Sequence, residues 1–230
     1  MTTLLVVEHE AGCPLDRFEH WLSGLDVDLV RPYKGEELPP EPRDGLVVLG
    51  GSMSAYDDEV APWLPQTRQL LAAAATTGVP TLGICLGAQL LAVACGGTVD
   101  VAATPGRECG VVDVRWRPEA ADDVLVAGLP DPFPGPSLHA DAVTRLPTAA
   151  VWLAATDMYS CQAFRVGSAA WGVQFHPEVS VPTFHGWAEE LPEVDTVAVT
   201  AELAARDHDV AVAGRLLARR FAEVVAGRRG

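Results

Sequence analysis

The sequence predicts an α/β protein with an open, twisted, mostly parallel sheet, helices on both faces and antiparallel strands added to it. Through the first half of the chain, short apolar runs alternate with segments of helical spacing, which is typical of βαβ units. These runs lack polar alternation, as expected for strands that are buried on both faces. The second half contains short strand-like segments separated by turns, and these predict the antiparallel additions.

The first half supplies the predicted parallel sheet. Apolar runs bounded by glycine or proline predict the strands, and spacing of three to four residues predicts the helices. The predicted strands are 4–7, 27–30, 45–50 and 80–84, and the predicted helices are 15–22, 63–77 and 86–94.

The second half is predicted to complete a single domain that covers residues 1–230, since this length suits one large α/β domain. Three prolines at positions 132, 134 and 136 predict a rigid loop. The predicted strands are 97–101, 111–115, 151–155, 162–165 and 170–174, and a long C-terminal helix is predicted at about 200–226.

Composition excludes several classes of protein. A formal net charge of −15 disfavours partners that carry phosphate, so we expect neither nucleic acid nor membrane binding. The N-terminus has no basic segment followed by a long apolar run, which predicts a cytoplasmic protein. Five cysteines form no CxxC pair, and their odd number argues against a disulfide framework. We expect no metal ion and no cofactor.

Cys85 is the candidate nucleophile. It is the central residue of Gly83-Ile-Cys-Leu-Gly87, between a predicted strand and a predicted helix. The spacing is that of a nucleophile elbow, in which a sharp turn requires small residues two positions before and after the nucleophile. A thiol at a helix N-terminus also faces the positive end of the helix dipole, which favours the thiolate.

The same five residues could instead form only a tight strand–helix junction around a buried cysteine. Gln89 favours function, because it is a polar residue one turn after Cys85 in an otherwise apolar helix. Cys95 is interpreted as a packing residue at a helix end. Cys13 precedes a proline and is interpreted as an incidental, exposed thiol.

His176 is the candidate base, because it ends a predicted strand and is followed by Pro177 and Glu178. The proline stops the strand, and a carboxylate two residues on can turn back to the imidazole and fix its tautomer. A His-Pro-Glu segment alone is more typical of a surface turn, so the hypothesis depends on the elbow. His139 and Asp141 form a second His-x-Asp pair, without a third residue at metal-like spacing.

A Gly-Gly-Ser loop after the third predicted strand is the candidate oxyanion loop. Gly50 and Gly51 allow backbone N–H groups to approach a substrate carbonyl without a side chain in the way. The N–H of Leu86, in the first turn of the helix after Cys85, supplies a second donor. We therefore predict that Gly51 and Leu86 form an oxyanion hole.

Three segments together resemble the motifs of class I, triad-type glutamine amidotransferases, and the similarity extends from Val6 to about Val181. Within these proteins the chain is most similar to the amidotransferase domain of GMP synthase. The segments are Gly50-Gly-Ser-Met, Gly83-Ile-Cys-Leu-Gly-Ala-Gln89 and Gly172-Val-Gln-Phe-His-Pro-Glu178.

The resemblance implies a flavodoxin-like fold and a Cys-His-Glu triad of Cys85, His176 and Glu178. It implies that Cys85 attacks the side-chain amide of glutamine to form a γ-glutamyl thioester and release ammonia. It also implies that Gln89 helps to hold the substrate, with Gly50, His139 and Asp141 as further substrate-binding candidates. A separate synthetase is the implied partner for the ammonia.

The chain also departs from the synthetase pattern. No nucleotide-activating loop is present, so we expect that the chain does not make GMP alone. The glycine loop has Ser52 and Met53 where synthetase domains more often have a proline. Two alternatives stay open: a hydrolase that cleaves other γ-glutamyl compounds with the same triad, and a non-catalytic binding protein on the same fold.

Overall fold

Strands and helices alternate through the first half of the chain, as the apolar pattern predicts. A computed structural model describes residues 2–227. Within that part the strands are β1 Thr3–Val7, β2 Asp26–Val30, β3 Gly45–Val48, β4 Thr81–Ile84, β5 Thr98–Asp100, β6 Glu108–Trp116, β7 Phe133–His139, β8 Ala142–Arg145, β9 Ala150–Ala155, β10 Ala163–Val166 and β11 Ala170–Val173. The helices are α1 Arg17–Trp21, α2 Leu64–Thr77, α3 Leu86–Ala94, α4 Val181–Glu189 and α5 Thr196–Gly227.

Nine strands form one mixed sheet in the order β2-β1-β3-β4-β11-β10-β9-β6-β7 within the described residues. The five strands from β2 to β11 are parallel neighbours, and every later step is antiparallel. β5 and β8 pair separately as a small antiparallel sheet. The predicted α/β fold class, with a parallel sheet and antiparallel additions, is confirmed.

The parallel strands are buried on both faces, which explains their uninterrupted apolar sequence. On one face Leu4 and Val6 pack in a cluster that includes Phe221 of α5. On the other face Leu5 and Val7 pack in a cluster that includes residues of α2 and α3. Full burial of each such aliphatic side chain contributes about 1.5–3 kcal/mol, so both helix layers stabilise the sheet.

The predicted proline loop is wrong, because Pro134 and Pro136 lie within strand β7. They stand opposite Asp113 and Val111 of the neighbouring strand β6. β7 is the last strand of the sheet, so an edge without a partner removes the need for the missing proline N–H groups. The backbone oxygen of Pro136 instead accepts a hydrogen bond from the N–H of His176 at 2.7 Å.

Two elements were not predicted. β8 pairs only with the three-residue strand β5, and α4 combines Pro182 and Gly186 in nine residues, which obscures its helical spacing. α5 begins four residues before the predicted start. Neither α5 nor another helix in the described part of the chain is long and apolar enough to cross a membrane.

The carboxyl ends of four parallel strands define the candidate site. β1 leads to Glu10, β3 to Gly50, β4 to Cys85, and β11 to His176. Since parallel strands end at the same edge of a sheet, these residues converge although they are far apart in sequence.

Candidate active site

Cys85 occupies a sharp turn between β4 and α3. Its backbone has φ 51° and ψ −106°, a conformation that residues with a side chain rarely adopt. Its N–H donates a hydrogen bond to the carbonyl oxygen of Val173 at 2.8 Å, which anchors the turn to β11. Such a conformation costs about 1–3 kcal/mol and persists only where the surroundings enforce it.

The two flanking glycines are required by close packing, as the elbow pattern predicts. A Cβ atom on Gly83 would lie 2.5 Å from the carbonyl oxygen of Gly87. A Cβ atom on Gly87 would lie 2.0 Å from the carbonyl oxygen of Val48 in β3. Both contacts are with backbone atoms, so neither can be relieved by a side-chain rotation.

His176 forms a buried pair with Glu178. Its Nδ1 lies 2.7 Å from Oε1 of Glu178, and both side chains are almost fully buried. The ring of Trp187 packs against the imidazole with 4.6 Å between ring centroids. The hydrogen bond to Glu178 uses Nδ1, so Nε2 is the nitrogen available to the thiol.

The electrostatic surroundings favour the protonated form of His176. Burial alone opposes the charge, but the Glu178 carboxylate, together with the charge and hydrogen bonding of Cys85, outweighs it and raises the pKa of His176 to about 10. An imidazolium beside a thiolate is thus favoured over the neutral pair. A thiolate stabilised in this way is ready to attack without first losing a proton.

The Gly-Gly-Ser loop lies directly beside this pair. A Cβ atom on Gly50 would lie 2.9 Å from Cε1 of His176 and 3.6 Å from Cβ of Cys85. Gly50 is therefore a close-approach position that admits no side chain. A Cβ atom on Gly51 would lie 2.9 Å from Cδ2 of Leu86, so the two predicted oxyanion donors belong to neighbouring residues.

Glu10 holds the glycine loop in place. Its carboxylate accepts hydrogen bonds from the N–H of Ser52 at 2.9 Å and from the Ser52 hydroxyl at 2.6 Å. The thiol of Cys13 donates to the same carboxylate at 3.2 Å. Burial, followed by the Glu10 charge, raises the pKa of the Cys13 thiol, so this residue is a half-buried neutral donor. The interpretation of Cys13 as an exposed, incidental thiol is wrong.

Gln89 is buried and reaches the centre of the site from α3. Its Nε2 lies 3.0 Å from the backbone oxygen of Asp141 and 3.3 Å from Oε1 of Gln174. Both amide hydrogens are thus used within the protein, and the Gln89 carbonyl oxygen is the group left to accept a hydrogen bond from a ligand.

His139 and Asp141 border the same pocket, but their polar atoms bond to the protein. Nδ1 of His139 lies 2.9 Å from the backbone oxygen of Asp141, and Nε2 lies 3.2 Å from Oε2 of Glu108. The carboxylate of Asp141 accepts a hydrogen bond from the N–H of Ala102 at 2.9 Å. These contacts indicate a role in shaping the pocket wall.

A cavity of about 290 Å³ opens above Cys85. Arg107 lies in its wall and is paired through Nε with Glu193 at 3.0 Å, while Trp187 and Glu190 close the opposite side. Sequence reasoning missed all four residues of this rim. Arg107 lies in the Gly-Arg-Glu-Cys-Gly turn before β6, and the other three belong to α4 or follow it, a helix whose spacing is obscured by proline and glycine.

The acidic and sulfur-bearing side chains around the site do not form a metal centre. Within residues 2–227, no group of three or more histidine, cysteine, aspartate or glutamate side chains is arranged to hold a metal ion. The acidic residues that line the cavity, Glu10, Asp141 and Glu190, come from three different segments of the chain.

Comparison with known proteins gives a consistent family. A family model described as glutamine amidotransferase class-I matches residues 22–187. The amidotransferase-type subunit of glutamine-hydrolyzing GMP synthase from Halobacterium salinarum is 33% identical over 187 residues, which cover 78% of this chain and 91% of that protein. The glutamine-hydrolyzing GMP synthase of Leifsonia xyli is 38% identical over 173 residues, which cover 74% of this chain but 30% of that protein.

The fold has a similar solved counterpart. A glutamine amidotransferase from Thermotoga maritima superimposes with a TM-score of 0.85 at 28% sequence identity, covering 96% of this chain and 98% of the other. The chain thus matches the Thermotoga and Halobacterium proteins along nearly their whole length, whereas it spans about three tenths of the Leifsonia GMP synthase.

Proposed function

The chain belongs to the class-I glutamine amidotransferase family, and from this premise we propose that it hydrolyses glutamine through a γ-glutamyl thioester on Cys85. The observation that carries the proposal is the buried His176–Glu178 pair, with 2.7 Å between Nδ1 and Oε1, beside a thiol held in a strained turn. Strained backbone and paired buried charges are typical of catalytic sites.

The first step is attack on the amide. The Cys85 thiolate adds to the side-chain carbonyl carbon of glutamine, and the carbonyl oxygen becomes an oxyanion. The N–H groups of Gly51 and Leu86 are the proposed donors to this oxyanion, supported by the contact between the two residues. The C–N bond then breaks, His176 gives its proton to the nitrogen, and ammonia leaves.

The second step releases glutamate. His176, now neutral, takes a proton from water, and the resulting hydroxide attacks the thioester carbon. The C–S bond breaks and the thiolate is regenerated, with Glu178 stabilising the imidazolium that forms again. No oxidant, metal ion or cofactor enters this balance.

The proposed destination of the ammonia is a separate synthetase. Support comes from the Halobacterium relative, which is named as one subunit of a GMP synthase and which this chain covers almost entirely. An activity that depends on a partner would appear as glutamine hydrolysis that rises when the synthetase is added.

The same acyl-enzyme would also serve a γ-glutamyl peptide hydrolase. The rim favours considering this alternative, because Glu190 is exposed and Arg107 is partly exposed at the mouth of the cavity. A larger leaving group could extend through this opening.

One assay separates the two activities. The purified protein is incubated with glutamine or with γ-glutamyl dipeptides, and ammonia and free amino acids are measured, with Cys85→Ala as the control. Ammonia release from glutamine supports the proposal. Release of amino acids from dipeptides alone favours the peptide hydrolase, and release from neither substrate contradicts both.

A further inference from the structure

We propose that Gln174 donates a hydrogen bond to the Cys85 thiolate and is a further catalytic residue, oriented by a chain of amides that begins at the backbone of Asp141. The inference deepens the proposed function, since it rests on Cys85 being the nucleophile. Its basis is the contact between Nε2 of Gln174 and Sγ of Cys85, which are 3.5 Å apart in a buried environment.

The backbone places Gln174 next to the thiol. Gln174 follows β11 directly, and in extended backbone its side chain points to the same side as that of His176 two residues later. The N–H of Gln174 donates to the carbonyl oxygen of Gln162 at 2.9 Å, which fixes this segment. The side chain is 2% exposed, so bulk water does not compete for its hydrogen bonds.

The orientation of the Gln174 amide follows from its neighbours. The backbone oxygen of Asp141 can only accept, so the Gln89 group that faces it at 3.0 Å must be the amide nitrogen. That nitrogen also faces Gln174 at 3.3 Å, and the Gln174 atom opposite it must therefore be the oxygen. The Gln174 nitrogen is consequently directed at Cys85.

The reverse orientation of Gln174 is unfavourable at both ends. It would bring its N–H groups against the N–H groups of Gln89 and its carbonyl oxygen against the sulfur of Cys85. A thiolate gains no hydrogen bond from that oxygen and is repelled by its partial negative charge. The chain from Asp141 through Gln89 thus selects the donor orientation.

A neutral donor complements the charged groups that face Cys85. His176 approaches from the segment after β11 with Glu178 behind it, and Cys13 approaches from the segment between β1 and α1. Gln174 stabilises negative charge on sulfur without adding a proton that could be lost. His176 therefore remains free to deliver its proton to the leaving nitrogen.

Alkylation of Cys85 tests the proposal without any substrate. The rate of reaction with iodoacetamide is measured against pH, and the Cys85 peptide is quantified by mass spectrometry. In Gln174→Leu we expect the pH midpoint of alkylation to rise by about one unit, the size expected for loss of a hydrogen bond to a charged group. Gln66→Leu is the matched control on the exposed face of α2, and its midpoint should equal that of the wild type.

Gln174→Glu separates catalysis from packing. Glutamate has the same shape and can still accept the hydrogen bond from Gln89, but it directs an oxygen at the sulfur. The proposal predicts a larger rise in the midpoint for Gln174→Glu than for Gln174→Leu, whereas a purely structural role predicts little change for glutamate. Unchanged midpoints in both variants would overturn the proposal.

The alkylation result is independent of the proposed function. Failure of the wild-type protein to hydrolyse glutamine would contradict the reaction but would leave the shift in alkylation intact. Gln89→Leu adds a second measurement, since it removes the orienting group and leaves Gln174 in place. We expect a midpoint between those of the wild type and Gln174→Leu, and a midpoint equal to the wild type would contradict the orienting role.

Discussion

Two buried histidine–glutamate pairs border the same cavity and differ in what surrounds them. In the pair His176–Glu178, one imidazole nitrogen binds the carboxylate and the other faces Cys85, while Oε2 of Glu178 has no hydrogen-bond partner within the described part of the chain. In the pair His139–Glu108, both imidazole nitrogens contact oxygen atoms of the protein.

Glu108 is also held far more completely than Glu178. Besides His139, its carboxylate accepts hydrogen bonds from Ser137 at 3.1 Å, Thr156 at 2.6 Å and Gln162 at 2.5 Å. A histidine with both nitrogens engaged fixes a strand end, whereas a histidine with one nitrogen left over can exchange a proton with a ligand. The difference teaches that a candidate base is recognised by its remaining nitrogen, since both pairs have a carboxylate.

The largest expected effect breaks the first pair. Cys85→Ala removes the nucleophile and His176→Ala removes the base, so we expect each to lower kcat for glutamine by several orders of magnitude, as in other nucleophilic triads. Initial rates of ammonia release measure this loss. Substantial turnover by either variant would contradict the mechanism, and His185→Ala, an exposed position on α4, is the matched histidine control.

Glu178→Gln tests the carboxylate of the same pair. The amide keeps the shape but removes the negative charge that raises the pKa of His176. We expect the pKa of His176 to fall and kcat to drop by about 10²-fold, within the range for general acid–base groups. An NMR titration of labelled histidine, with kcat against pH, measures both. A pKa that stays near 10 would show that Glu178 is not the cause.

The two pairs should lose stability at opposite ends of the pH scale. The raised pKa of His176 gives stability that is complete below about 6.5 and lost as pH rises towards 10. Burial opposes the charge of Glu108, but its hydrogen bonds, chiefly from His139, outweigh burial and lower its pKa, so its stability is present above about 4.5 and lost as pH falls.

Thermal unfolding across pH measures this contrast. We expect Glu178→Gln to flatten the alkaline side of the stability curve, and Glu108→Gln to flatten the acid side and lower Tm at neutral pH. Glu108→Gln should also leave the pH dependence of kcat unchanged, because Glu108 does not face Cys85. If both variants altered the same side of the curve, the distinction between the pairs would be wrong.

The smallest expected effect concerns the rim. Arg107 is the arginine in the cavity wall, and its guanidinium is suited to the α-carboxylate of a glutamyl substrate. We expect Arg107→Ala to raise KM for glutamine about tenfold with a smaller change in kcat. Glu193→Gln releases the ion pair but keeps Arg107, and Arg115→Ala removes an exposed arginine elsewhere. An equal rise in KM in all three would show that the effect is not specific to Arg107.

Much of the fold could be predicted because burial on both faces leaves a clear mark in the sequence. The apolar strands β1, β3 and β4 and the glycines around Cys85 follow from that burial and from close backbone contacts. The prolines of β7 misled the prediction, because an edge strand tolerates residues that a central strand does not.

The residues of the site differ in the same way. Cys85 and His176 lie in short local patterns, so their neighbours in sequence reveal them. Glu108 and Gln174 depend on partners 31 and 89 residues away, His139 and Cys85, and such contacts leave no local signal. His139 was selected correctly as a pocket residue, but its bonding pattern could not be derived from spacing alone.

The acyl-enzyme on Cys85 is the central claim, and mass spectrometry tests it directly. The protein is mixed with glutamine, quenched rapidly in acid and digested, and the peptide that contains Cys85 is weighed. We predict a mass increase of one γ-glutamyl group on that peptide, absent in Cys85→Ala and removed by hydroxylamine. Glutamine hydrolysis that continues in Cys85→Ala, or an adduct on a different cysteine, would contradict the account.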